Sequence, residues 1–181
     1  FSFAKLNKKI FTNLKKILSE NNQILNSLKI SYVDSFDSKK LAKFRNFKNI
    51  SIIGMGGSIL GSKAIYSFLK DKVKKKITFI DNLVDEKKIL ENKKTELNLI
   101  ISKSGNTLET ISNSNVLITK KQKNLFITEN RESFLMKLAN QLKADVIHHN
   151  NFIGGRYSVL SEVGMLPAEL MGLKINKFRK F

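Results

Sequence analysis

The pattern of apolar and polar residues changes character near residue 50. Before it, Phe3, Leu6, Ile10, Leu14 and Ile17 recur at spacings of three and four, with Lys5, Lys8, Lys9, Lys15 and Lys16 between them. That period marks an amphipathic helix, and the plain reading packs its stripe on the rest of the fold. Asn21 and Asn22 interrupt the pattern, and a second helical stretch is predicted over 38–44. From Ile50 onward, short apolar runs alternate with helical segments. Strands are predicted over 50–53, 77–80, 97–101, 124–128 and 145–147, and helices over 58–69, 85–92, 107–119 and 131–142. The stretch 157–173 also reads as helix, with Pro167 expected to kink or restart it.

Strands separated by helices imply right-handed crossovers. The predicted fold class is therefore α/β, a parallel sheet of about five strands with helices on both faces, preceded by amino-terminal helices. The expected division is 1–45 for the helical segment and 46–181 for the α/β domain. In such sheets ligands sit beyond the carboxyl ends of the strands.

Composition narrows the partners. The 181 residues suffice for one well-filled core, and the absence of cysteine excludes a disulfide scaffold and thiolate chemistry. Apolar runs such as 50–53 and 97–101 are too short to span a bilayer, and the amphipathic start lacks a small-residue cleavage site. A cytoplasmic setting with no membrane partner is expected. The first residue is Phe1 rather than Met, so a fragment is expected. The formal charge is +18, from 33 Lys plus Arg against 15 Asp plus Glu, yet arginine stands only at 45, 131, 156 and 179. Nucleic-acid surfaces lean on arginine forks and stacked aromatics, so the excess lysine reads as general enrichment and no nucleic-acid partner is expected. His148 and His149 would point to opposite faces of a strand, and no acidic pair has metal-ligand spacing, so no metal is expected.

Three segments carry candidate chemistry. In SKSGNTLET, at 102–110, Ser102, Ser104, Asn106 and Thr107 offer side-chain hydrogen bonds within six residues of chain. Gly105 lets the backbone turn, Thr107 can cap the helix, and Glu109 falls in its first turn. Hydroxyls beside a helix N-terminus suit a phosphate. Lys103 either adds charge there or is solvated. In GMGGS, at 54–58, the glycines permit close backbone approach and Ser58 is placed to cap the next helix. This loop lacks the third glycine of a dinucleotide fingerprint and the lysine of a Walker loop; taken alone it is equally a structural turn. In GGRYS, at 154–158, Gly154 and Gly155 precede an arginine in a lysine-dominated chain. Arg156 is either a fixed cation beside developing negative charge or an ordinary surface ion-pair partner.

Taken in order, the three segments resemble the glucose-6-phosphate isomerase family, whose members show GxGGSxLG, SKxxxTxET and GGRYS at similar spacing. This chain reads GMGGSILG at 54–61, SKSGNTLET at 102–110 and GGRYS at 154–158, roughly fifty residues apart. The resemblance spans about 50–172 and implies a flavodoxin-like sugar-isomerase domain. It implies that Gly57 and Ser58 contact the sugar phosphate and that Ser102, Lys103, Ser104, Asn106 and Thr107 form the phosphate pocket, Lys103 through its backbone. Arg156 would stabilise an enediolate, with Gly155 beside it in the substrate loop, and Glu109 would orient a catalytic group. No cofactor or metal is implied, and the complete enzyme is expected to be a homodimer. Family members are longer and hold the proton-moving glutamate in a second domain, so this chain alone is expected to be inactive. Ser104 and Asn106 replace threonines common in the family. The alternatives are a non-catalytic sugar-phosphate-binding domain and an isomerase acting on both glucose and mannose phosphates.

Overall fold

The computed structural model describes residues 3–20 and 22–180. Phe1 and Asn21, the first of the two asparagines expected to end the leading helix, lie outside these residues. The order is α1 (Phe3–Ser19), α2 (Gln23–Asn26), β1 (Asn49–Gly54), α3 (Gly57–Leu69), β2 (Lys76–Ile80), α4 (Glu86–Asn92), β3 (Leu97–Ile101), α5 (Leu108–Leu117), β4 (Lys123–Thr128), α6 (Phe134–Leu142), β5 (Asp145–His148) and α7 (Glu162–Leu170). All five predicted strands are present, and they form one parallel sheet in the order β2-β1-β3-β4-β5.

Alternation along the strands builds two cores. Ile50, Ile52, Leu97, Leu99, Leu125 and Ile127 face one side, where they meet Ile59 of α3 and Val163, Leu166 and Leu170 of α7. Ile53, Ile80, Ile100 and Phe126 face the other, against Leu117 of α5 and Leu135 and Ala139 of α6. The central strand β3 is buried along its whole length, as a parallel strand covered on both faces must be. Reversal of strand order between β1 and β3 makes the switch point, where the carboxyl ends of neighbouring strands open a crevice.

Three expectations need correction. The side chains of residues 7–19 in α1 are exposed, with Ile10 at 54 % and Phe11 at 63 %, so the stripe does not pack on the sheet at Ile10, Leu14 or Ile17. Helices α3 to α7 already cover both sheet faces. The stretch predicted over 38–44 is a tighter 3-10 turn, Lys40–Phe44, which buries Leu41 and Phe44 under the sheet. The expected helix over 157–173 splits into a 3-10 turn, Gly155–Leu160, and α7. The restart falls at Ser161, whose hydroxyl accepts from Val163 N, and Pro167 lies inside α7 without interrupting it. Among the described residues no helix is long and apolar enough to cross a membrane.

Arg179 ties the carboxyl-terminal end of the chain to the segment before β1 and to the turn before α7. Its guanidinium donates to both carboxylate oxygens of Asp34, at 3.1 and 2.8 Å, to Ser27 O at 3.1 Å and to Leu160 O. The Tyr32 ring lies 5.0 Å from the guanidinium carbon. Burial pushes the Asp34 carboxyl up, and Arg179 pulls it back. Removing one partner from so enclosed a pair leaves a buried charge uncompensated. Arg179→Ala should therefore lower unfolding free energy by about 3–5 kcal/mol in urea titration. A loss under about 1 kcal/mol, the range of an exposed pair, would contradict that reading.

Candidate functional site

The two phosphate-suited loops leave adjacent strands. Gly54 at the end of β1 pairs with Ile101 at the end of β3, so the loops begin side by side at the switch point. The first loop turns directly into α3, with Gly56 as the N-cap residue, not Ser58 as expected. Ser58 sits inside the first turn, half-buried, and its N–H donates to Met55 O at 3.1 Å. Gly57 is there for space: a Cβ on it would stand 2.3 Å from both the carbonyl carbon and oxygen of Gly155. The Ser158 hydroxyl lies 2.7 Å from Gly155 O and 3.2 Å from Gly57 O, bridging the two backbones.

This contact carries Arg156 across the sheet. The segment that holds it leaves β5, three strands away from β1. At the usual strand spacing that is roughly 14 Å. Arg156 is exposed and among the described residues has no ion pair or hydrogen bond, which removes the surface ion-pair reading. It stands as a solvent-facing guanidinium on a backbone locked against the first turn of α3.

The second loop is folded around α6. Gly105 takes a positive φ of 66°, and a Cβ there would meet Ser133 Oγ at 2.2 Å. The Asn106 side-chain oxygen accepts from Phe134 N at 2.9 Å, and Gly105 O accepts from Leu135 N at 3.0 Å. Asn106 thus holds the start of α6, which sequence reasoning did not foresee. Ser104 Oγ accepts from Asn106 N at 3.2 Å. The Ser102 and Thr107 hydroxyls lie 2.9 Å apart, with Ser102 buried. Thr107 is the N-cap of α5 but makes no side-chain cap bond, so the first-turn N–H groups have no capping side chain. Glu109 lies in that first turn, half-buried.

Lys103 is neither solvated nor a free positive charge. Its ammonium donates to Asn151 O at 2.6 Å and lies 3.5 Å from Glu129 Oε1. Glu129 also pairs with Arg131 at 2.9 Å. His148 is exposed and accepts from Asn130 N at 3.2 Å, whereas His149 is fully buried beside Glu162, so the two rings do not share a ligand position. Sequence reading did not find the parts of Glu129 and His149; the only local signal was their place directly after a strand end.

Cavities of 560 Å³ beside β5 and 530 Å³ around Arg45 and Lys75 lie away from these loops. Neither gathers hydroxyls at a helix N-terminus. Donor chemistry therefore marks the carboxyl-end loops better than concavity does. Paired hydroxyls and an uncapped helix start can hold an anion, and a free guanidinium can offset negative charge that develops beside it.

The family model for phosphoglucose isomerase matches residues 3–181. The chain is 34 % identical to a glucose-6-phosphate isomerase of Methanocaldococcus jannaschii, over 97 % of this chain and 46 % of that protein. It thus spans about half the length of that curated relative, and less of others. Among solved structures, a hypothetical protein from Thermus thermophilus superposes with a TM-score of 0.69 at 23 % identity, over 96 % of this chain and 45 % of that one. A tagatose-6-phosphate ketose/aldose isomerase from Escherichia coli does so with a TM-score of 0.60 at 17 % identity, over 78 % and 43 %. These two likenesses bear on the fold.

The two glycines beside Arg156's loop should respond differently to a methyl group. Gly57→Ala drives a Cβ into the Gly155 backbone and should cost about 1–3 kcal/mol, read in chemical denaturation. Gly154 has φ −67° and would place its Cβ 3.7 Å from Tyr157, an ordinary contact. Gly154→Ala should change stability by less than about 1 kcal/mol. Equal effects would contradict the assigned contact.

Proposed function

The chain belongs to the phosphoglucose isomerase family, and from that premise we propose that it forms the sugar-phosphate-binding part of a glucose-6-phosphate isomerase. The reaction is the reversible interconversion of glucose 6-phosphate and fructose 6-phosphate, a step of glycolysis and gluconeogenesis. The single observation that carries this reading is Arg156, an unpaired guanidinium whose neighbour Gly155 packs on Gly57 in the first turn of α3, next to the strand that leads into the phosphate loop. A binding module needs the phosphate grip but has no use for that cation.

In this reading the phosphate rests on the Ser102 and Thr107 hydroxyls and the amides that open α5. Ser104 and Asn106 shape the loop, and Lys103 braces it from outside. Gly57 and Ser58 bring the α3 start to the sugar, with Gly155 packed against them. Anchoring the phosphate fixes the distance from the loop to the reacting carbons and contributes orientation. A base then takes the proton at C2 and returns it at C1 through a cis-enediol. The oxygens of that intermediate carry developing negative charge, and in this reading Arg156 is the fixed cation that offsets it. Glu109, in the first turn of α5, orients a catalytic group. Residues 1–45 act as a helical extension to the 46–181 sugar-isomerase domain, and the full-length protein works as a cytoplasmic homodimer.

Arg156→Ala in the full-length protein should lower kcat by on the order of 10²–10³ while leaving KM nearly unchanged. Arg156→Lys should recover only part of the loss, because an ammonium lacks the planar fork. Steady-state kinetics in both directions, with a melt as fold control, reads this. A folded Arg156→Ala enzyme with wild-type kcat and a raised KM would place Arg156 in the binding shell instead.

A further inference from the structure

The loop that presents Arg156 is held from below by a buried carboxyl that the reaction does not use. Glu162, the first residue of α7, is fully buried, and its Oε1 accepts from Asn150 N at 2.7 Å. That one bond joins the two ends of the segment carrying Gly154, Gly155 and Arg156. Two further attachments act on the same segment: Lys103 holds Asn151 O at 2.6 Å, and Gly155 rests on Gly57. Ile153, between them, is fully buried. The segment is thus attached near its start by Lys103 and Glu162 and further along by the Gly57 contact.

Glu162 is a poor choice if stability alone were served. Its second oxygen, Oε2, is buried with no hydrogen-bond partner, and the same holds for Nε2 of the neighbouring His149. Buried unpaired polar atoms cost stability, and a residue kept in spite of them calls for another role. The charge balance points the same way. Burial pushes the Glu162 carboxyl up, and burial lowers His149 to about 4. Both groups are thereby drawn toward their neutral forms.

We infer that Glu162 is a positioning residue for Arg156: by accepting the Asn150 N–H it sets the angle at which the 150–156 segment presents the guanidinium over the phosphate loops. The inference rests on the role given to Arg156 under the proposed function.

The test is a double-mutant cycle in the full-length protein. Glu162→Met keeps side-chain volume but removes the acceptor; Glu162→Gln keeps an acceptor oxygen and is neutral. Glu162→Met should lower kcat at least tenfold with KM within about twofold, whereas Glu162→Gln should stay within about threefold of wild type. In an Arg156→Ala background, Glu162→Met should lower kcat no further, because it acts through Arg156. Rates are taken per folded protein, with the folded fraction read from a melt. Equal losses from Glu162→Met in both backgrounds would overturn the inference while leaving Arg156's role intact. So would a Glu162→Gln enzyme as impaired as Glu162→Met. An Arg156→Ala enzyme with unchanged kcat would overturn the reading of Arg156 and this inference with it.

Discussion

The backbone of Gly57 touches the backbone of Gly155, and the geometry of the candidate site depends on that contact. The sheet places β1 and β5 far apart, with β3 and β4 between them. A loop leaving β5 reaches the switch point only if nothing stands where it lands. The constraint is one-sided. A Cβ on Gly57 would collide with the Gly155 carbonyl, whereas a Cβ on Gly155 would find Gly57 at an ordinary 3.6 Å. The Ser158 hydroxyl then spans both carbonyls and fixes the register of the contact. Without it, the backbone that carries Arg156 would not rest on the first turn of α3.

The phosphate loop obeys the same logic with different parts. It gains its shape from α6: Gly105 nests on Ser133 and Asn106 holds the Phe134 N–H. Its polar groups thus divide. Some, such as the Asn106 carbonyl oxygen, are spent on the scaffold. Others, the hydroxyls of Ser102 and Thr107 and the amides of α5, remain beside one another at the open end. Lys103 joins this loop to the segment that carries Arg156 through Asn151 O, and Glu129 pairs with the same ammonium.

Much of this was legible in the chain. Short apolar runs and the helical segments between them gave five strands and the helices that link them, because buried strands such as β3 admit mostly apolar residues. Glycine and hydroxyl spacing located the loops, and a lone arginine after two glycines stood out against the lysines. What failed depends on tertiary geometry. Ser58 looked like a cap, but the turn needs a positive φ at Gly56, and that residue takes the position. The stripe of α1 stays exposed at Ile10, Leu14 and Ile17, which its own period cannot signal. The attachment of Glu162 to Asn150 spans twelve residues of irregular chain, and no periodicity signals it. Lys103 could not be assigned because its partners, Glu129 and Asn151, lie on other loops.

The central claim is that the carboxyl-end loops of β1 and β3 receive a phosphorylated sugar. A crystal structure of the protein with glucose 6-phosphate tests it most directly. The phosphate oxygens should lie about 3 Å from the Ser102 and Thr107 hydroxyls and the first amides of α5. The Arg156 guanidinium should face the sugar carbons. A phosphate seated instead in the lysine-lined cavity of Lys72, Lys174 and Lys177, with the carboxyl-end loops unchanged, would contradict the account.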